Sequence, residues 1–200
     1  ISDILRVISS SPSDVKPVLD AVAEHASRIC EAQIVDIILR EGETMRYGAT
    51  FGDMGRPLGE AVPLDRTTVS GRSIVDGQPV HVADLQNAGQ EFPRGSEFAR
   101  KYGHRTILAV PLLREGQALG TILVRRADVR PFDEKHVALL KTFADQAAIA
   151  IENVRLFNET REALEQQQAS AEVLSVISSS VSDTQPVFER ILDSCERLIA

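Results

Sequence analysis

What the 200-residue sequence omits sets its first limits. Its two cysteines, Cys30 and Cys195, lie far apart and in no CxxC or Cys/His spacing, which excludes a zinc or disulfide framework. They read as small buried apolar residues of a reducing compartment. No apolar run approaches the roughly 18 residues of a membrane-crossing helix. The opening ISDILRVISS lacks the basic region and cleavage site of a secretory peptide, and it reads as part of a longer chain. Positive charge is in deficit, with 22 Lys and Arg against 29 Asp and Glu and a net charge of -7. That is the wrong sign for a phosphate backbone, so no nucleic-acid partner is expected. There is no P-loop and no GxGxxG. His25, His81, His104 and His136 stand apart from one another and from any nucleophile, so no catalytic or metal-binding residue is assigned and the segment itself is not expected to be an enzyme. What remains, 43% hydrophobic and 26% charged, is ample for a cytoplasmic, membrane-free protein of one or two domains.

One phrase occurs twice. VISSSPSDVKPV begins at Val7 and VISSSVSDTQPV at Val176, an offset of 169 that also brings Leu5 onto Leu174 and Arg28 onto Arg197. Apolar positions agree between the copies: Leu19 with Phe188, Val22 with Ile191, Ile29 with Leu198. A spacing this long suits a tandem array of whole domains and is too long for a solenoid unit. The expected organisation is an incoming linker helix over 1–13, a domain over 14–158, a connecting helix over 159–181, and the opening of a second, truncated domain over 182–200.

Local patterns fill in the first domain. Ser13 or Asp14 caps a helix with Pro17 in its first turn and Val18, Leu19, Val22, Ala26 and Ile29 on one face, running to about Glu31. IVDIILR and TMRYGAT, joined by EGET, read as a β-hairpin. A Gly- and Pro-rich loop spans Gly52 to Pro63. DRTTVSGRSIVDG offers a cap at Asp65 and a short helix stopped by Gly77, PVHVADL alternates as a strand, and SEFARKYG is a short helix closed by Gly103. RTILAVPLLRE and QALGTILVRR form a second hairpin around Glu115 and Gly116. Phe132 and Asp133 then open a helix. From Asp133 to Thr184 the sequence has neither glycine nor proline, so that helix is free to run far beyond the domain. Phe143, Ala150, Phe157, Leu164 and Ala171 fall seven apart on it, with Ala147 and Val154 between them, which predicts a coiled-coil seam in a parallel homodimer. The alternative is a helix packed on its own sheet that continues as a solvated linker. The fold class is α+β, an antiparallel sheet carrying helices.

GRSIVDGQPVHVADL, RTILAVPLLREGQALGTILVRR and FDEKHVALLKTFADQAAIAIENVRLF, in this order and spacing, resemble the GAF domain, a ligand-binding sensory module. The resemblance implies a six-stranded antiparallel sheet flanked by helices, with short helices covering a pocket. The VISSS helix and the link LFNETREALEQQQASAEVL are similar to those of tandem GAF arrays in bacterial sensor histidine kinases and nucleotide cyclases. That implies a two-component role, in which a ligand or partner resets the helices and an output domain in the same chain responds; a histidine kinase is the expected output and a cyclase the alternative. A ligand-free dimerisation module is the rival of a different class.

Cyclic-nucleotide-binding members carry an NKFDE motif. Here Arg125-Arg126 replaces Asn-Lys, and Phe132 is followed directly by Asp133-Glu134, which argues against a cyclic nucleotide and for a core anchor with a helix cap. Bilin-binding members attach the chromophore through a Cys, whereas ARKYGHRTILAV has His104 and no Cys, which argues against a covalent bilin. Haem would need His81, a lone strand histidine of the kind that is more often structural. A small-molecule pocket would draw its polar contacts from Ser70 to Ser73, from His81 and Asp84, and from Tyr102 to Thr106, with Phe92 and Phe98 as an apolar lid. Arg105 is the first choice for an anionic ligand, and an Arg105 to Asp84 ion pair is its structural alternative.

Overall fold

A computed structural model describes residues 14–52, 61–179 and 185–199. The expected incoming helix over 1–13, most of the loop after Gly52 and the start of the second repeat lie outside them. Helix α1 (Lys16–Cys30) leads into the hairpin β1 (Ile34–Glu41) and β2 (Thr44–Phe51). A short strand β3 (Ala61–Pro63), helix α2 (Val69–Asp76), β4 (Val80–Val82), a 3-10 turn (Leu85–Asn87) and α3 (Pro93–Tyr102) follow. The hairpin β5 (Thr106–Arg114) and β6 (Gln117–Arg126) precedes α4 (Glu134–Ser179) and α5 (Gln185–Ile199). The chain divides into two compact units, up to Val154 and from Arg155 onward.

In the first unit the six strands form one antiparallel sheet in the order β3-β2-β1-β6-β5-β4. Alternation sorts its side chains onto two faces. Val35, Ile37, Val110, Ile122 and Val124 join Leu19 and Val22 of α1 and Leu140 and Ala147 of α4 in one core. Ile38, Ile107, Ala109 and Leu123 join Val69 and Ile74 of α2 and Phe92 and Ala99 of α3 in the other. The sheet thus lies between a layer of two long helices and a cover of short ones. The residues read as the end of a loop form β3, which pairs with β2 through Thr44 and Pro63, Met45 and Val62, Arg46 and Ala61. Three residues ending in proline are too few to show alternation.

The β5–β6 turn places Glu115 and Gly116 in the left-handed region, at φ 51° and 80°, as the sequence led us to expect. On β6, Gly120 serves close approach: a Cβ there would lie 2.1 Å from the carbonyl oxygen of Ile38 on β1.

Helix ends depart from expectation in instructive ways. The Asp14 carboxylate accepts the Lys16 N–H at 2.9 Å, just ahead of α1, and Ile29, expected on its buried face, is 38% exposed. The cap of α2 is Thr68, whose hydroxyl accepts the Gly71 N–H at 3.0 Å. Asp65, the expected cap, accepts the Thr67 N–H at 2.8 Å in the turn before it. Asp133 does cap α4: its carboxylate accepts the His136 N–H at 2.9 Å while His136 Nδ1 accepts the Asp133 N–H at 3.4 Å, the reciprocal pattern of a capping box. Helix α4 then runs 46 residues unbroken.

The proposed seam splits along that length. Phe143, Ala147 and Ala150 are buried in the core against the domain's own sheet, which corrects their assignment to an intermolecular seam. Val154 is half-buried, and Phe157 and Leu164 are 44% and 52% exposed. In the second unit, α5 spans Gln185–Ile199, which an offset of 169 maps residue for residue onto α1, Lys16–Cys30. Arg197 pairs with Glu172 of α4 at 3.2 Å.

Replacing Gly120 by alanine should force β1 away from β6 at the centre of the sheet. The expected loss is about 3 kcal/mol in urea denaturation, at the upper end for a single methyl group; a loss under about 1 kcal/mol would show that the two strands separate freely.

Candidate functional site

Strand β6 ends in two consecutive arginines, and alternation sends them to opposite faces of the sheet. Arg125 goes to the cover face. Only 4% exposed, it pairs with Asp36 of β1, which is 1% exposed and also accepts the Thr50 hydroxyl at 2.7 Å. Two buried charges therefore neutralise each other, a condition for keeping either out of water.

Arg125 also borders a cavity of about 30 Å³ between this face and α2, α3 and β3. Its apolar wall includes Met45, Val62, Leu85, Phe98, Ile107 and Leu123, and its polar groups come from Tyr47, Thr68, Ser70, Arg94, His104 and Arg125. Arg94 is tied to Asp65 at 2.9 Å. Desolvation alone would raise the pKa of that carboxylate, but the hydrogen bonds from Thr67 and Arg94 hold it below its ordinary value. His104 is 3% exposed, and its Nδ1 is buried with no hydrogen-bond partner among the described residues. Burial first, and the Arg125 guanidinium second, lower its pKa to about 3, so the ring is neutral at physiological pH. A neutral, unsatisfied imidazole beside a guanidinium favours a small group that can hydrogen-bond and bears negative potential.

Arg126 goes to the helix face, where it is 1% exposed. It donates to Cys30 O at 2.6 Å and Glu31 O at 3.3 Å, at the end of α1, and to Arg130 O at 2.8 Å and Pro131 O at 3.3 Å, just before α4. Its guanidinium lies 4.1 Å from the centroid of the Phe132 ring. The last carbonyls of a helix carry partial negative charge, which suits this cation, and the ring face adds a cation–π contact. Arg126 therefore fastens the exit of α1 and the entrance of α4 to one strand end.

The family model for the GAF domain matches residues 12–152. The chain belongs to the GAF domain family. It is similar to residues 122 to 287 of a methyl-accepting chemotaxis protein, at 26% identity and a TM-score of 0.66, over 78% of this chain and 96% of that one. A GAF domain/HD domain protein from Geobacter sulfurreducens shares the fold at 15% identity and TM-score 0.62, covering 74% and 97%. A bacteriophytochrome from R. palustris shares it at 13% identity and TM-score 0.69, over 96% of this chain and 45% of that one. The chain thus carries a regulatory GAF domain of a signalling protein. Among the described residues no helix is long and apolar enough to cross a membrane, and no three His, Cys, Asp or Glu cluster as a metal site would require.

Of the residues expected at the GAF pocket, Phe98 lines the cavity, as do Ser70 and His104 from the segments singled out. The others are placed elsewhere. Ser73, on the sheet-facing side of α2, is fully buried, its hydroxyl 3.4 Å from that of Thr121 on β6. His81 pairs in register with Leu108 on the helix face, where its Nε2 accepts the Phe132 N–H at 3.2 Å. Partial desolvation and Arg126 lower its pKa. Asp84 and Arg105 form the ion pair named as their structural alternative. Phe92 is 1% exposed, a core residue under the Arg72 guanidinium and no lid. Tyr102 packs on Phe98 at 6.4 Å between centroids. Thr106, fully buried, donates to Ala83 O at 2.7 Å and accepts the Arg130 N–H at 2.9 Å. Arg94 and Arg125 were missed as pocket residues. A charged residue closing the apolar run of β6 was the available signal for Arg125.

Since the folded His104 has a pKa of about 3 against an ordinary 6.5, the unfolded chain takes up its proton first. Its contribution is complete above roughly pH 7 and is lost as pH falls below 6.5. Between pH 7 and pH 5 the wild type should lose about 2 kcal/mol more than His104→Gln in urea denaturation. Parallel pH profiles would show that the imidazole is already solvated.

Proposed function

We propose that this GAF domain is the sensory part of a cytoplasmic bacterial two-component protein. It takes a small molecule in the cavity at His104 and Arg125, works as a homodimer joined through its terminal helices, and governs a histidine kinase in the same chain. The observation that carries the reading is the adjacency of Arg125 and Arg126. A ligand that hydrogen-bonds His104 and competes with Asp36 for Arg125 shifts the end of β6. The next residue holds the end of α1 and the segment just before α4 by their carbonyls, so the shift reaches both long helices through that clamp. Such a joint is a two-state element that both sites bias. An anionic ligand would also raise the affinity of His104 for a proton, so binding should tighten as pH falls.

The cavity volume of about 30 Å³ is far below the several hundred Å³ of a preformed ligand site, so the cover of α2 and α3 must open for entry. That closure favours a second reading, a ligand-free dimerisation module. Thermal melts against a panel of small metabolites separate the two. For the sensor, at least one compound raises the melting temperature, with about 2.7 kcal/mol of stabilisation at a hundredfold excess over Kd, and His104→Gln abolishes the shift. Unshifted melts across the panel favour the module.

Dimerisation has its own test on α4. With the first half of the helix committed to the core, Phe157→Asp and Leu164→Asp should each convert a dimer to a monomer in light scattering. Retention of the dimer in both variants places the interface off this stretch.

A further inference from the structure

The segment between β6 and α4 has no regular structure, and three side chains of the sheet hold its backbone. Arg126 donates to the carbonyls of Arg130 and Pro131. The Thr106 hydroxyl donates to Asp128 O at 3.0 Å and accepts the Arg130 N–H at 2.9 Å. His81 Nε2, on β4, accepts the Phe132 N–H at 3.2 Å. Neither a guanidinium nor a hydroxyl changes its charge near neutral pH, whereas an imidazole does. Accepting through Nε2 requires the neutral ring, with its one proton on Nδ1. The Phe132 ring completes the junction: its centroid lies 5.8 Å from that of His81 and 6.0 Å from that of His136 on α4, with the Arg126 guanidinium at 4.1 Å. Phe132, only 4% exposed, thus joins β4, β6 and α4 at one point.

We propose that His81 is a proton-binding site that latches the entrance of α4: the neutral ring pins Phe132 to β4, and the protonated ring releases it. Protonation turns Nε2 from an acceptor into a donor, so the buried Phe132 N–H would face another N–H and lose its bond. The new positive charge meets no free counter-ion. Arg126, from β6, presents like charge to the ring. The carboxylates nearby are already committed: Asp84 after β4 to Arg105, Asp128 and Glu31 to Arg130, and Asp133 to His136. Glu134 and Lys135, in the first turn of α4, are exposed. His81 itself is exposed on an edge strand, so once charged its ring can turn out into water. Desolvation first, and Arg126 second, lower its pKa from the ordinary 6.5, so the latch stays closed through that value and opens in more acidic conditions. The proton acts on the Arg126 clamp from the helix face, whereas the cavity at His104 lies on the cover face. The two inputs are separate, and the inference holds whether or not the domain binds a ligand.

Amide exchange at Phe132 in the 200-residue chain reads the latch directly. With rates corrected for their intrinsic pH dependence, the Phe132 amide should exchange at least about tenfold faster once the pH has fallen through the titration of the His81 ring, followed by NMR. Amides of β6, in the middle of the sheet, should keep their protection over the same range, which separates release of the latch from the acid destabilisation expected of His104. His81→Gln supplies an amide oxygen that accepts the same N–H and does not titrate, so Phe132 should stay protected throughout. His81→Leu removes the acceptor, so Phe132 should exchange fast at every pH. A Phe132 amide whose protection ignores the titration of the ring overturns the inference. Acid acceleration that persists in His81→Gln overturns it as well, and makes His136 the titrating group.

Discussion

Two guanidiniums placed back to back at the end of β6 are the constraint around which the rest of the domain is arranged. β6 lies in the middle of the sheet, between β1 and β5, so neither arginine reaches water by bending a free edge. Burying a charge there is costly unless it is compensated on the spot, and the two faces compensate differently. On the cover face Asp36 of β1 supplies a full negative charge. On the helix face the compensation is four carbonyl oxygens and an aromatic ring. The second solution needs the end of α1 and the segment before α4 to be held at fixed positions. The charge of Arg126 therefore sets where the two long helices meet the sheet.

The two layers are built from different interactions, and this decides where the domain can move. The helix layer is largely aliphatic, and Ala23, Ala26, Ala144, Ala147 and Ala148 let backbones approach closely. The cover layer has an apolar core of its own, with Val69, Ile74, Leu85, Phe92 and Ala99, and its outer rim is fastened by individual polar contacts: Gln86 Nε2 to the carbonyls of Ala99 and His104, Ser96 and Arg100 to the carbonyl of Gln86, Arg72 to Glu91. Polar contacts at a partly exposed surface contribute little net stability each and exchange readily with water. A rim held this way opens at lower free energy than packed aliphatic contacts. The cavity lies beneath it.

The sequence made the architecture legible and the pocket mostly illegible, for one physical reason. Alternation, capping and turn residues act between near neighbours in the chain, and they led to the hairpins, α2, α3 and the run of α4. Which residues share a cavity depends on register between distant segments, which no local pattern encodes. His81 is the clearest case. A polar residue on a short strand read as a pocket contact, but its pairing with Leu108 fixes it on the helix face. Arg125 shows the converse: it read as a departure from a nucleotide-binding motif, whereas its burial against Asp36, 89 positions earlier in the chain, makes it part of the cavity wall. The GAF resemblance supplied the sixth strand that three residues could not announce by themselves.

Helix α4 changes its means of support along its length. Up to Val154 one face is sealed into the core by Leu140, Phe143, Ala147 and Ala150, and tertiary packing supplies its stability. Beyond Arg155 the described side chains are mostly exposed. There the helix is supported by pairs one turn apart, Arg155 with Glu159 and Arg161 with Glu165, each worth only about 0.3–0.5 kcal/mol. The Thr160 and Ser170 hydroxyls bond back to carbonyls one turn earlier, a contact that slightly weakens a helix. Helical stability in proteins comes mostly from packing an apolar face, and Phe157, Leu164 and Leu174 leave such area uncovered along this stretch. The stability missing from the second half of α4 must come from packing against something else. That makes its helicity conditional, and a conditional helix leaving a clamped strand end is suited to report a change at that clamp.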